Sequence, residues 1–172
     1  MRRVLGGLLA LAALAAPASA LAQVRAAWVR TPSIEQLPRP LPLPYDSTAD
    51  ARTQIAAAAT RARAGGKRLL IDFGGNWCPE CRVLAGVMAL PEMRAWMARH
   101  YELVAIDIGR FDRNLDIPKR FGVSLSAVPA LFIVDPRSAR LVNRSEINIF
   151  VGGISSGRPQ RLADWLAKWA AQ

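Results

Sequence analysis

Residues 69–82 read L-L-I-D-F-G-G-N-W-C-P-E-C-R. The apolar run Leu69–Phe73 has the length and composition of a buried strand, and Gly74-Gly75 marks a turn after it. The chain's two cysteines, Cys78 and Cys81, then stand two residues apart. On the first turn of a helix this spacing brings two sulfurs within reach of a reducible disulfide. At that position Cys78 meets unpaired backbone N–H groups and the positive end of the helix dipole, and both lower a thiol pKa. Cys78 is therefore expected to face solvent as the nucleophile. Cys81, one turn later and covered by the helix, is expected to resolve the mixed disulfide. Pro79 and Glu80, between them, tune the pair.

Three other readings of the pair carry less. A zinc site needs about four ligands, and beyond the cysteines the chain offers His100 and carboxylates. A purely structural disulfide across so short a loop constrains the unfolded chain very little. Two inert buried thiols fit poorly with Pro79 and the paired glycines, which mark a turn.

Further matches extend the reading outward. Asp72 interrupts the apolar strand, Trp77 precedes Cys78, Val128-Pro129 precedes the strand-like Ala130–Val134, and Val151-Gly152 precedes the last helix. In order and spacing these residues resemble the thioredoxin-fold superfamily, and in particular the secreted bacterial thioredoxin-like thiol:disulfide oxidoreductases with a W-C-x-x-C motif. The resemblance implies an α/β fold with a central mixed sheet flanked by helices, spanning residues 45–172. It implies that Asp72 lies beneath the disulfide and carries the Cys81 proton. It also implies that Pro129 follows a cis peptide bond, and that the backbone of Val128 pairs with an extended substrate peptide. Trp77 is expected to shield one side of the disulfide at the substrate surface. Two departures stand out: Ala105 occupies the place of the lysine that accompanies the carboxylate in ordinary thioredoxins, and Gly74-Gly75 predicts a more open turn.

Upstream, residues 1–22 have the pattern of an export signal: Arg2-Arg3, an apolar run from Val4 to Ala16, Pro17, then small residues with cleavage after Ala20 or Ala22. The apolar run is too short to span a bilayer, so no stable membrane span is expected after cleavage. A periplasmic or secreted location follows, in which a dithiol stays reduced only when an upstream redox partner supplies electrons. Residues 23–44 end in L-P-R-P-L-P-L-P and predict an extended linker or a strap over the domain, with Trp28 a candidate anchor.

In the domain, Ser47 is the expected cap of a helix over 48–64, and Pro91 opens a further helix. Glu102–Ile108 and Leu141–Val151 are expected strands. Leu162, Trp165, Leu166 and Trp169 share one face of the last helix.

The charge of +10 falls to +8 without Arg2 and Arg3, and the basic residues are scattered, with no Lys/Arg block or aromatic ladder. Nucleic acid is not an expected partner. The expected partners are protein thiols or disulfides, exchanged through the Cys78–Cys81 disulfide itself without metal or organic cofactor. Reduction is weakly favoured, because Glu80 opposes the Cys78 thiolate. The alternative is a thioredoxin-scaffold module that binds peptides or an assembly partner and keeps a non-catalytic disulfide.

Overall fold

The computed structural model describes residues 24–148 and 157–170; the leader-like residues 1–22 and Val151-Gly152 lie outside them. Residues 24–45 run as an extended strap broken by one 3₁₀ turn, Ile34–Gln36. Then come α1 (Ala51–Gly65), β1 (Arg68–Gly74), α2 (Pro79–Met88), α3 (Pro91–His100), β2 (Tyr101–Asp107), α4 (Asp116–Arg120), β3 (Ala130–Asp135), β4 (Arg140–Leu141) and α5 (Gln160–Ala170). The sheet order is β2-β1-β3-β4, with β1 parallel to β2 and antiparallel to β3. This is the mixed sheet of a thioredoxin fold.

Side chains alternate across β1 and divide the core in two. Leu69, Ile71 and Phe73 pack with Ala58 and Ala62 of α1. Leu70 packs on the other face with Leu84 and Val87 of α2, Met93 and Trp96 of α3, and Leu162, Trp165, Leu166 and Trp169 of α5. Asp72 shares the parity of Leu70, so the sheet delivers it to the α2 face.

The strap adds to that second layer. Ala27, Val29, Leu37 and Leu41 are buried in it, and full burial of a leucine contributes about 2 kcal/mol. Gly86 on α2 makes the approach possible, because a Cβ there would come within 2.8 Å of Leu41 Cδ2. Gln160 of α5 fastens the strap at its start, accepting from Val29 N–H at 2.9 Å and donating to the Ala27 carbonyl at 2.8 Å. Trp28 is not the expected anchor. In an extended segment the flanking Ala27 and Val29 point inward, so Trp28 points out and is 78% exposed.

Two boundaries differ from the sequence expectation. The N-cap of α1 is Asp50, whose carboxylate accepts from Thr53 N–H at 2.7 Å, rather than Ser47. Asp46 takes both the N–H and the hydroxyl of Thr48, so Thr48 stays outside the helix. The other difference is the strand expected over 141–151. Among the described residues only Arg140–Leu141 form a strand beside β3, a 3₁₀ turn, Arg144–Glu146, follows, and residues 149–151 lie outside the described residues. The buried Asn143 supplies part of the pairing: its Oδ1 accepts from Ile133 N–H and its Nδ2 donates to the Leu131 carbonyl, both at 2.8 Å. The other edge groups bond main chain, Val142 N–H donating to the Ile133 carbonyl and Leu131 N–H to the Ile147 carbonyl, both at 2.8 Å, so the side-chain amide completes an irregularly paired edge.

Candidate redox site

The β1-to-α2 turn carries the site. Cys78 is the N-cap residue of α2, Pro79 occupies the first helical turn, and Cys78 and Cys81 are joined as a disulfide. Cys78 Sγ accepts from Cys81 N–H at 3.1 Å, so an unpaired amide of the helix start is spent on the first sulfur. Both sulfurs are covered: Cys78 is 2% exposed and Cys81 is fully buried. The expectation that Cys78 faces solvent is corrected here. Val128 packs on the pair, with its carbonyl oxygen 4.0 Å from Cys78 Sγ, and the Glu80 carboxylate lies 3.7 Å from the same sulfur. The Val128–Pro129 peptide bond is cis.

Asp72 is fully buried. Its β2 partner in the parallel register is Ala105 and its β3 partner is Leu131, so the strands beside it bring no cation. Burial pushes its carboxyl up to about 7, and a hydrogen bond from Tyr45 pulls the other way. Tyr45 Oη donates to Asp72 Oδ2 at 2.8 Å, while Oδ1 is buried with no hydrogen-bond partner among the described residues. Burial and the Asp72 charge raise the Tyr45 phenol far above its ordinary value, which keeps it a donor.

The open turn expected at Gly74-Gly75 is filled. A Cβ at Gly74 would lie 2.4 Å from Tyr45 Oη and 2.9 Å from Cys81 Sγ, and a Cβ at Gly75 would lie 2.5 Å from the Trp77 ring nitrogen. The missing side chains make room for a tyrosine from the strap and for an indole. Trp77 is 39% exposed, donates from Nε1 to the Gly109 carbonyl at 2.6 Å, and carries the Arg110 guanidinium over its ring at 5.1 Å. Phe111 stands beside it, 6.4 Å between ring centres.

Sequence reasoning placed Asp72, Trp77, Cys78, Pro79, Glu80, Cys81, Val128 and Pro129 around one turn, and the fold brings them there. It missed Tyr45 and Asn76. Three positions with volume to spare, Gly74, Gly75 and Ala105, were the available signal that a side chain from elsewhere fills the space. His100 stands at the end of α3 against Trp96, 4.5 Å between ring centres. Among the described residues no group of three or more His, Cys, Asp or Glu side chains could hold a metal ion, and no helix is long and apolar enough to cross a membrane.

The family described as thioredoxin-like matches residues 50–136. Among solved structures, the disulphide isomerase from Xylella fastidiosa Temecula1 is 32% identical, with a TM-score of 0.65, over 75% of this chain and 98% of that one. The oxidised C-terminal domain of DsbD from Neisseria meningitidis is 24% identical, with a TM-score of 0.42, over 55% of this chain and 83% of that domain. No curated protein matches.

Proposed function

The chain belongs to the thioredoxin-like family, and from that premise we propose that it is a periplasmic thiol:disulfide oxidoreductase acting on proteins. The observation that carries the reading is the Cys78–Cys81 disulfide at the start of α2, with the Cys81 amide directed at Cys78 Sγ. In the reduced protein the same amide and the helix dipole favour a Cys78 thiolate. That thiolate attacks a substrate disulfide: a Cys78–substrate bond forms, the substrate bond breaks, and the departing thiolate takes a proton from water. Cys81 then gives its proton to Asp72 and attacks Cys78 Sγ. The mixed disulfide breaks, the second substrate thiolate leaves, and two electrons have passed to the substrate. A dithiol donor protein must return the pair to the reduced state. No metal or organic cofactor enters the scheme.

Reduction is the favoured direction because Glu80 lies 3.7 Å from Cys78 Sγ and opposes its negative charge. The periplasmic assignment rests on the leader-like residues 1–22. The Val128 carbonyl lies beside Cys78 Sγ, which suits an extended peptide laid against the Val128 backbone.

One observation favours a second reading, a binding module with a permanent disulfide: Cys78 is only 2% exposed. Thiol titration after mild reductant separates the two, since a module keeps its disulfide. For the oxidoreductase, the mature protein accelerates dithiothreitol-dependent reduction of a model protein disulfide, Cys78→Ser abolishes this, and Cys81→Ser accumulates mixed disulfides that survive acid trapping. Full activity in Cys78→Ser would overturn the nucleophile assignment.

A further inference from the structure

The strap reaches the redox site through one side chain. Tyr45 closes the strap, is 3% exposed, and forms a buried cluster with Cys78 and Cys81. Its ring enters the space that Gly74 leaves open, so its oxygen and Cys81 Sγ flank the same point. Its main chain is fixed by the active-site turn itself: Asn76 Oδ1 accepts from Tyr45 N–H at 3.2 Å, and Asn76 Nδ2 donates to the Tyr45 carbonyl at 2.8 Å. So held, the phenol donates to Asp72 Oδ2 at 2.8 Å.

We propose that Tyr45 is a positioning residue of the resolving step, holding Asp72 beside Cys81 and favouring its ionised form where Ala105 supplies no cation. The proposal rests on the reading of Asp72 as the acceptor of the Cys81 proton. A hydrogen bond from a neutral phenol to a carboxylate stabilises the charged form. By occupying Oδ2 it leaves Oδ1 to take the proton when Cys81 attacks. Tyr45 from the strap donates to this carboxylate and packs with Cys78 and Cys81, while Ala105 of β2 and Leu131 of β3 stand opposite Asp72 in the sheet. The Asp107 charge, at the end of β2, acts on Tyr45 and reinforces its role as donor.

The test mixes the reduced full-length mature protein with one equivalent of a bis(nitrobenzoate) disulfide and follows release of the coloured thiolate across pH. The first release reports attack by Cys78, the second resolution by Cys81. In the wild type the second rate should rise with pH through a midpoint set by Asp72. Tyr45→Phe removes one oxygen and should move that midpoint up by about one pH unit, the worth of one charge-assisted hydrogen bond. The second phase should then be about fivefold slower near neutrality and should rejoin the wild type about two pH units higher. The first phase should stay unchanged and so reports that the site is folded. Coincident profiles, or a slowing equal at every pH, would overturn the Tyr45 assignment alone. Absence of a first phase from the wild type would remove the oxidoreductase reading and this assignment with it.

Discussion

The Asn76 side chain pairs with the main chain of Tyr45 at both polar groups, as a neighbouring strand would. The turn before α2 and the end of the strap are therefore one unit. Asn76→Ala leaves both Tyr45 groups without a partner and is expected to lower stability by about 1–3 kcal/mol. Urea unfolding measures this, and a loss below about 0.5 kcal/mol, the level of ordinary surface substitutions, would show that water replaces the amide.

Glu80 is expected to tilt the redox potential rather than set it. Removing its charge favours the Cys78 thiolate and hence the reduced protein, so Glu80→Gln should raise the reduction potential. One exposed carboxylate contributes about 1 kcal/mol or less, which is about 20 mV for a two-electron couple. Equilibration against a glutathione buffer reads this directly, and a fall in potential would contradict the sign.

Asp72 makes stability depend on pH in a direction opposite to that of most carboxylates. Its folded value, about 7, lies above the ordinary 3.8. Below both values the group is neutral whether or not the chain is folded. As pH rises between them, the unfolded chain releases a proton that the folded chain keeps. Stability is therefore lost by about 1 kcal/mol per pH unit, and the full cost is present above the folded value. Asp72→Asn should remove this slope and exceed the wild type by about 2–4 kcal/mol at alkaline pH, with the two converging in acid. Parallel stability curves would mean that the carboxyl titrates normally.

Asn143 completes the sheet edge, and Asn143→Ala strands the Ile133 N–H and the Leu131 carbonyl in the core. A loss of about 2–4 kcal/mol is expected from two buried unsatisfied groups. Hydrogen exchange at Ile133 gives the local reading: protection should collapse there before it does in β1.

The sequence announces what depends on periodicity and punctuation. The apolar run before Cys78 reads as β1, Pro91 opens α3, and the spacing of Leu162, Trp165, Leu166 and Trp169 draws the buried face of α5. What it conceals is a single device used three times among the described residues. Asn76, Asn143 and Gln160 each present a donor and an acceptor to a stretch of main chain, at Tyr45, at 131–133 and at 27–29. A side-chain amide is chemically a peptide group, so it can stand in for a strand wherever the fold brings it to an unpaired edge. Nothing in hydropathy distinguishes such an amide from one on the surface. The role of Tyr45 is hidden for the same reason, since it depends on space at Gly74 that only the assembled fold reveals. The cover over Cys78 likewise comes from residues distant in the chain, Tyr45 and Val128, the latter 50 positions away.

The two bonds from Gln160 to the strap join residues 131 and 133 positions apart. Contacts of such separation form late, because a long loop must close before they contribute. Residues 27–29 therefore cannot be fastened down until Gln160 of α5 has been made. A chain emerging in order from the ribosome or through a membrane pore carries its two thiols long before the strap is pinned at both ends. The other end of the strap does not wait: Tyr45 is held by Asn76, 31 residues away, so the cover over the two cysteines can close before α5 pins residues 27–29.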